Sequence, residues 1–361
     1  MGDHSRILIA GLDNNRGGTE NVINNYVSAL SDDFQFDFLL YEDPWYESPR
    51  LENNRFFIIP RKQNNLLGFK RGLKKFFDAH GDEYHTLWMN FNNLSNIDVL
   101  AAAAKQGIPR RIAHGHSSSY SGGIPQQMLS MLHNGWYKQY VTDRWACSKE
   151  AGLFYFKQES FEIVPIAIDY GEYAFSPSDR DLIRLSLEVG DSLLLGTVGR
   201  LDRVKNHAYL LALLLRVKEK NEDIKLLIVG DGPCKNELKQ RAHDLGIEDA
   251  VYFVGAQSDV RAYLSAMDVF LFPSLSEGFG LSLIEAQVNG LPCLVSEHIS
   301  SEAVISSAVK SIPLVDISLW RDMALKMERP LENPLSYQYD LGLQGQELLK
   351  RLKFFLSQAP Y

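Results

Sequence analysis

The sequence predicts an α/β protein made of two doubly wound domains, each a parallel sheet covered by helices. Three observations carry that expectation. Short apolar strands alternate with amphipathic helical patterns along the whole chain. The alternation lapses in a polar stretch near residue 169 and restarts at Leu193. A chain of 361 residues is long for one core and comfortable for two.

In the first half, Arg6-Ile7-Leu8-Ile9-Ala10-Gly11 reads as a buried strand, reaching a helix over Thr19 to Leu30 through the loop Leu12 to Gly18. Strands are expected at Phe36 to Tyr41, Phe56 to Pro60, His85 to Asn90, Arg111 to His116 and Arg144 to Ser148, with helical patterns between several of them. Apolar runs of this kind suit a parallel sheet covered on both faces. Asp169, Pro177, Ser178 and Asp179 mark a polar stretch suited to a linker. The expected division is a first domain at 1–168, a linker at 169–190 and a second domain at 191–334. A C-terminal helix in 335–361, patterned from Gln344 to Phe355, is a candidate to pack back on the first domain.

The second half opens on the strand Leu193 to Gly199 and the helix Asn206 to Glu219. It continues with strand Lys225 to Gly230, helix Lys235 to Leu245, and strands Val251 to Gly255, Val269 to Pro273 and Pro292 to Glu297. Two such domains place the carboxyl ends of both sheets at a shared central cleft, where ligands of doubly wound sheets bind.

Composition removes several function classes. A formal charge of −8 and a pI near 5.6 argue against a nucleic-acid partner, which calls for a net basic surface. Cys147, Cys234 and Cys293 lie far apart without metal-ligand spacing and read as small buried residues in a reducing compartment. No apolar run spans a bilayer, and the N-terminus lacks a leader pattern, so a cytoplasmic protein, peripheral on the inner face of the cell membrane if it meets one, is expected.

The richest motif is Glu277-Gly278-Phe279-Gly280-Leu281-Ser282-Leu283-Ile284-Glu285, two carboxylates around a glycine-framed turn from a strand into a helix. The helix start offers unpaired N–H groups and a positive dipole end, which suit a phosphate. The carboxylates can accept hydrogen bonds from neutral hydroxyls beside it. Gly199-Arg200-Leu201-Asp202-Arg203-Val204-Lys205-Asn206 also links a strand to a helix, so Arg200 and Lys205 can reach the same diphosphate. Gly230-Asp231-Gly232-Pro233 reads as a tight turn, either passing close to a ligand or simply turning the chain. His114 and His116 sit at alternate positions of one strand and point to the same side. His116, nearer the strand end, is the candidate to bond a sugar hydroxyl or steady developing charge; a structural histidine is the other reading.

Gly17 and Gly18 do not complete a Gly-x-Gly-x-x-Gly dinucleotide pattern, which counts against a nicotinamide enzyme. Asp179-Arg180-Asp181 has an Asp-x-Asp form but falls in the expected linker and reads as solvated charge. From Asn54 to Phe77 the chain carries Arg55, Arg61, Lys62, Lys70, Arg71, Lys74 and Lys75, no acidic residue, and interleaved phenylalanines. Contact of 54–77 with anionic headgroups and a lipid-linked substrate is one reading, an amphipathic helix with a solvated basic face the other.

These motifs, with Val251-Tyr252-Phe253-Val254-Gly255, Ile112-Ala113-His114-Gly115-His116 and Glu285-Ala286-Gln287, resemble the retaining GT-B glycosyltransferases of family four. Bacterial capsular and exopolysaccharide transferases are the most similar. The resemblance implies the GT-B fold, two Rossmann-like domains facing a central cleft, and no cofactor or metal, the nucleotide sugar being substrate. It implies that Arg200 and Lys205 bind the donor diphosphate and Glu285 the ribose. Glu277 and the Gly278, Phe279, Gly280 and Leu281 segment would hold the transferred sugar and its phosphate, with Val254 and Gly255 bordering the base. His116 would contact the sugar, and Gly17 and Gly18 would lie near phosphate and acceptor. The expected reaction moves a hexosyl unit, from a UDP-sugar by preference, to a glycan or polyprenyl-linked acceptor with retention. A non-catalytic partner subunit and a sugar-nucleotide epimerase of the same fold remain the alternatives.

Overall fold

The apolar runs of the first half pair side by side because each is short and is followed by a segment that carries the chain back to the start of the next strand. The computed structural model describes residues 6–12, 18–41, 54–94, 96–117, 124–165, 167–220, 222–277, 280–330, 335, 340–341 and 346–358. Contacts divide the chain into two units, Met1–Ile168 with Tyr339–Tyr361, and Asp169–Gln338.

In the first unit the strands are β1 (Arg6–Ala10), β2 (Gln35–Leu40), β3 (Arg55–Ile58), β4 (Thr86–Phe91), β5 (Arg110–Gly115), β6 (Asp143–Ala146) and β7 (Glu162–Ile163). All pair in parallel, in the order β3-β2-β1-β4-β5-β6-β7. The chain therefore starts mid-sheet, grows to one edge, and returns to build the other, with its switch point between β1 and β4. Parallel crossovers are right-handed. Helix α1 (Gly18–Leu30) thus covers one face, while α2 (Leu66–His80), α3 (Asp98–Gln106) and α4 (Ile124–Trp136) form a layer on the other. Gly11 closes β1 at φ +84°, and a Cβ there would fall 1.9 Å from the Asn90 carbonyl oxygen, so only glycine lets β1 and β4 end this close together. Trp88, Trp145 and Tyr26 fill the centre, Trp88 meeting Trp145 edge-on at 5.2 Å. Helix α5 (Lys149–Phe156) follows β6, capped by the Ser148 hydroxyl.

Within 54–77, α2 is the amphipathic helix with a solvated basic face that the second sequence reading expects. Phe69, Phe76 and Phe77 are buried with Leu73, at the 4-, 7- and 8-residue spacings of one helical face. Three of its cations are held by carboxylates: Arg55 by Asp37 and Glu83, Lys62 by Asp98, and Lys74 by Asp78. Phe69, Phe76 and Phe77 are core while Phe56 and Phe57 are half-buried, and the cations unpaired among the described residues, Lys70, Arg71 and Lys75, lie on the outside of α2.

In the second unit the strands are β8 (Leu193–Val198), β9 (Ile224–Val229), β10 (Val251–Gly255), β11 (Val269–Phe272), β12 (Cys293–Ser296) and β13 (Val309–Ile312), ordered β10-β9-β8-β11-β12-β13 and all parallel. Strands β7 and β13 escape the sequence because one is two residues long and the other is a half-exposed edge without a continuous apolar run.

Residues 169–190 are not an open linker. They carry α6 (Tyr170–Tyr173) and α7 (Pro177–Ser186), the latter capped by Ser176 with Pro177 in its first turn. The remaining helices of this unit are α8 (His207–Lys218), α9 (Lys235–Asp244), α10 (Arg261–Ala266), α11 (Leu281–Val288) and α12 (Ile317–Ala324). Arg180, expected in solvent, donates to the carbonyls of Ser265, Ala266 and Met267 at 3.0–3.3 Å and to Asp268 at 2.6 Å. Arg184 reaches Ala266 and Asp268 and also the carbonyls of Gly190 and Ser192. Both cations satisfy the orphan carbonyls at the end of α10, where the helix dipole is negative. Arg184→Met should destabilise the unit by roughly 2–4 kcal/mol, because buried acceptors and Asp268 lose their partner. Urea melts of the two proteins check this; equal midpoints would contradict it.

Helix α13 (Gln346–Ser357) belongs to the first unit, where Phe355 lies 4.4 Å from the Arg110 guanidinium and 5.4 Å from the Trp145 ring centre. No described helix is long and apolar enough to cross a membrane.

Candidate functional site

The switch point of the second sheet lies between β8 and β11, so the loops leaving their carboxyl ends, 199–206 and 273–280, are neighbours. Backbone-directed bonds join them. The Leu275 N–H donates to the Val204 carbonyl at 2.8 Å, while Asp202 Oδ1 accepts the Lys205 N–H at 3.1 Å to brace the first loop itself. Asn206, at φ +56°, donates its side-chain amide to the Pro273 carbonyl at 3.2 Å. Asparagine takes this left-handed conformation more readily than most residues.

That frame brings Lys205 onto Glu277 as an ion pair, with Nζ 4.9 Å from the Phe272 ring centre. Gly280 completes the cluster at φ +79°. A Cβ there would press on the Phe272 ring at 3.1 Å and on Glu277 Cγ at 3.3 Å. It caps α11, whose first N–H groups, at Leu281 and Ser282, have no preceding helical carbonyl to bond. Leu281 itself is buried. Gly278 and Phe279 lie outside the described residues.

Glu285, inside α11, is only 4% exposed, and its Oε1 accepts the Tyr173 hydroxyl at 3.0 Å. Burial pushes its pKa up to about 7; the Tyr173 hydrogen bond opposes the rise and the charge of Asp259 adds to it. Burial, then the Glu285 charge, holds the Tyr173 hydroxyl protonated. Asn289 donates to the Tyr173 carbonyl at 3.0 Å and so fastens α6 to α11. Tyr173 is missed by the sequence reading, because nothing local in a polar stretch announces a contact 112 residues away. Gln287 is missed in the same way. It accepts the N–H groups of Ile305 and Ser306 and donates to the carbonyls of Leu283 and Ala303, tying α11 to the loop after β12.

Arg200 leaves the same loop as Lys205 but is exposed, and its side chain has no partner among the described residues. Val254 and Gly255 end β10, two strands from β8 in the same sheet, and Gly255 accepts the Gly230 N–H at 2.8 Å. Asp231 of that turn pairs with Lys235.

The other expected residues belong to the first unit. Gly18 begins α1 and is exposed, while Gly17 lies outside the described residues. His114 and His116 do share a side, their ring centres 4.0 Å apart. His116 is 7% exposed and its Nε2 meets Asn90 Oδ1 at 2.9 Å. The Asn90 amide nitrogen donates to the carbonyls of Ala10 and Trp88, which leaves its oxygen to face the ring. Nε2 therefore carries the proton, and Nδ1 is an acceptor without a partner among the described residues. Burial pushes the His116 pKa down to about 3, so the ring is neutral. Its Nδ1 can accept a hydroxyl's hydrogen bond. Among the described residues no group of three or more His, Cys, Asp or Glu could hold a metal.

Both the sequence and the fold match known proteins. Residues 179–347 match the family described as Glycosyl transferases group 1. The chain is 31% identical over 301 residues to the putative glycosyltransferase EpsF of Bacillus subtilis, covering 80% of this chain and 78% of that one. Over 172 residues, 46% of this chain and 42% of the other, it is 34% identical to an Escherichia coli UDP-Gal:alpha-D-GlcNAc-diphosphoundecaprenol alpha-1,3-galactosyltransferase. In fold it resembles the crystal structure of Anabaena Alr3699/HepE in complex with UDP and glucose, with a TM-score of 0.79, 18% identity, and coverage of 97% of this chain and 100% of that one.

Proposed function

Since the chain belongs to the glycosyl transferases group 1 family and has the GT-B fold, we propose that it moves a hexosyl unit from a nucleotide sugar to a glycan or lipid-linked acceptor, with retention at the anomeric carbon. The observation that carries this reading is the cluster of Lys205, Glu277, Phe272 and Gly280 at the switch point, with buried Glu285 behind it. A cation, the first N–H groups of α11 and two carboxylates in different environments match a diphosphate flanked by two sugars.

In this assignment Arg200 and Lys205 meet the diphosphate, Glu285 accepts from the ribose hydroxyls, and Glu277 holds the transferred sugar with Gly278, Phe279, Gly280 and Leu281. Val254 and Gly255 border the base. His116 accepts a sugar hydroxyl through Nδ1, and Gly17 and Gly18 lie by the phosphate and acceptor. The donor's C–O bond breaks as the acceptor oxygen bonds to the same face of the sugar, through an oxocarbenium-like state. The leaving diphosphate takes the acceptor's proton. Its growing charge is met by Lys205, Arg200 and the start of α11, so no enzyme nucleophile is required. We further assign a uridine diphosphate donor, in keeping with the UDP-bound fold neighbour and the UDP-galactose-dependent relative. A place in surface-polysaccharide synthesis accords with the likeness to EpsF. A cytoplasmic location fits three free thiols.

Purified protein incubated with a panel of nucleotide sugars, with and without a bacterial lipid extract, tests the assignment. Acceptor-dependent transfer from a UDP-sugar, unchanged by a chelator, is expected. Absence of turnover with every donor would mark a non-catalytic partner, and isomerisation without acceptor an epimerase.

A further inference from the structure

Helix α4 is amphipathic in the wrong sense for a helix on a soluble domain. Its inner face is Ser130 and His133, continued by Tyr137 of the following turn; Ser130 and Tyr137 are buried, and His133 Nδ1 lies 2.7 Å from the Leu94 carbonyl oxygen. Its outer face is Met128, Leu129, Met131, Leu132 and Trp136, all exposed, with Leu132 and Trp136 at 67%. A surface helix ordinarily turns its apolar stripe inward and its polar residues to water. Here five large apolar side chains crowd nine residues of outer surface, the kind of patch that marks an interaction site.

We propose that this face of α4 docks the protein on an anionic lipid surface. The charge of the neighbouring surface selects the occupant. Helices α2 and α3 touch, as do α3 and the turn Tyr137–Tyr140 that ends α4, so the three lie in one layer on one face of the sheet. On the outside of that layer Lys70, Arg71 and Lys75 are exposed and unpaired among the described residues. Arg71, Lys74 and Lys75 line an open depression with Asp78 and Ala79. Leu67, 68% exposed, and Leu66 project at the start of α2. In a chain of net charge −8 such an acid-poor basic face is not background. Apolar side chains with a tryptophan, beside lysine and arginine, fit the boundary between acyl chains and anionic headgroups.

The test needs neither donor nor acceptor, so its outcome is independent of the transferase assignment. Wild-type protein should co-sediment with vesicles of phosphatidylglycerol and phosphatidylcholine but not with phosphatidylcholine alone. M128Q/L132Q/W136Q should lower the bound fraction tenfold or more without lowering the melting temperature, and K70E/R71E/K75E should weaken binding and its salt dependence. A measurement free of the triple variant is quenching by brominated phosphatidylglycerol, which should be lost in W136F relative to wild type. Wild-type protein that stays in the supernatant with both vesicles, or a glutamine variant that binds as well as wild type, would overturn the proposal. So would a concentration-dependent dimer that the glutamine substitutions abolish in the absence of vesicle binding.

Discussion

Lys205→Ala should lower kcat on the order of a hundredfold to a thousandfold at saturating donor while leaving the fold intact, if the lysine neutralises the leaving diphosphate. The structure gives the lysine an unusual setting for that task. Its ammonium is half-desolvated, paired to a carboxylate that is also largely out of water, and placed over an aromatic face. A charge in such surroundings acts through a lower effective dielectric than one in bulk water, so its removal is felt more strongly.

A structural explanation for the same loss has to be separated, because Lys205→Ala also leaves Glu277 without its partner. An uncompensated, partly buried carboxylate would itself disturb the turn. The double variant K205A/E277Q removes that charge. If Lys205 acts on the diphosphate, the double variant stays at least as slow as the single one; recovery of turnover would show that the lysine serves only to hold Glu277. Wild-type kcat in Lys205→Ala would sink the assignment outright.

What could be read ahead of the structure follows the range of the interactions concerned. The loop from β11 into α11 was legible because Pro273 and Gly280 act on their own backbone; the bonds from Leu275 and Asn206 that tie it to the loop 199–206 were not. The doubly wound class was legible because strand and helix periods alternate locally; the order in which the strands pair was not. Tyr173 on Glu285, and Arg180 and Arg184 on the end of α10, were not. Their partners are set by tertiary packing, and a polar stretch such as 169–190 looks the same whether its charges meet water or carbonyls. The run 54–77 shows the converse. Phe69, Leu73, Phe76 and Phe77 carried a helical core spacing that outranked their interleaving with lysine and arginine. The outward face of α4 had no signal beyond its apolar content, since the same residues turned half a turn round would make an ordinary core helix.

Glu285 gives the second large effect, and its sign can be worked out. Burial holds its pKa near 7 in the folded protein against an ordinary 4.5. The groups facing it are Tyr173 from α6, which donates to it, and Asp259, whose charge raises it further; Arg261 stands by Tyr173 and Asp259. Ribose hydroxyls donate, so the donor binds the ionised carboxylate best, and kcat/KM for donor should climb up to tenfold per pH unit below about 7 and level off above it. Stability runs the other way. Between 4.5 and about 7 the folded chain holds a proton that the unfolded chain has lost, so this group's stabilising share is complete below 4.5 and disappears as pH rises through 7. A shift of that size corresponds to about 3 kcal/mol. Carboxylates such as Asp37 and Asp259, whose pKa values are lowered, slope oppositely, so the informative quantity is the difference between wild type and E285Q. Glutamine still accepts from Tyr173 but cannot ionise. The variant should lose the donor-binding limb and gain stability relative to wild type as pH rises from 5 to 8, by roughly 3 kcal/mol at most. Tyr173→Phe should shift the same limb to higher pH by removing the bond that favours the carboxylate. Parallel stability curves for wild type and E285Q, or an unchanged pH profile in E285Q, would rule out a buried, titrating Glu285 as the group that holds the donor.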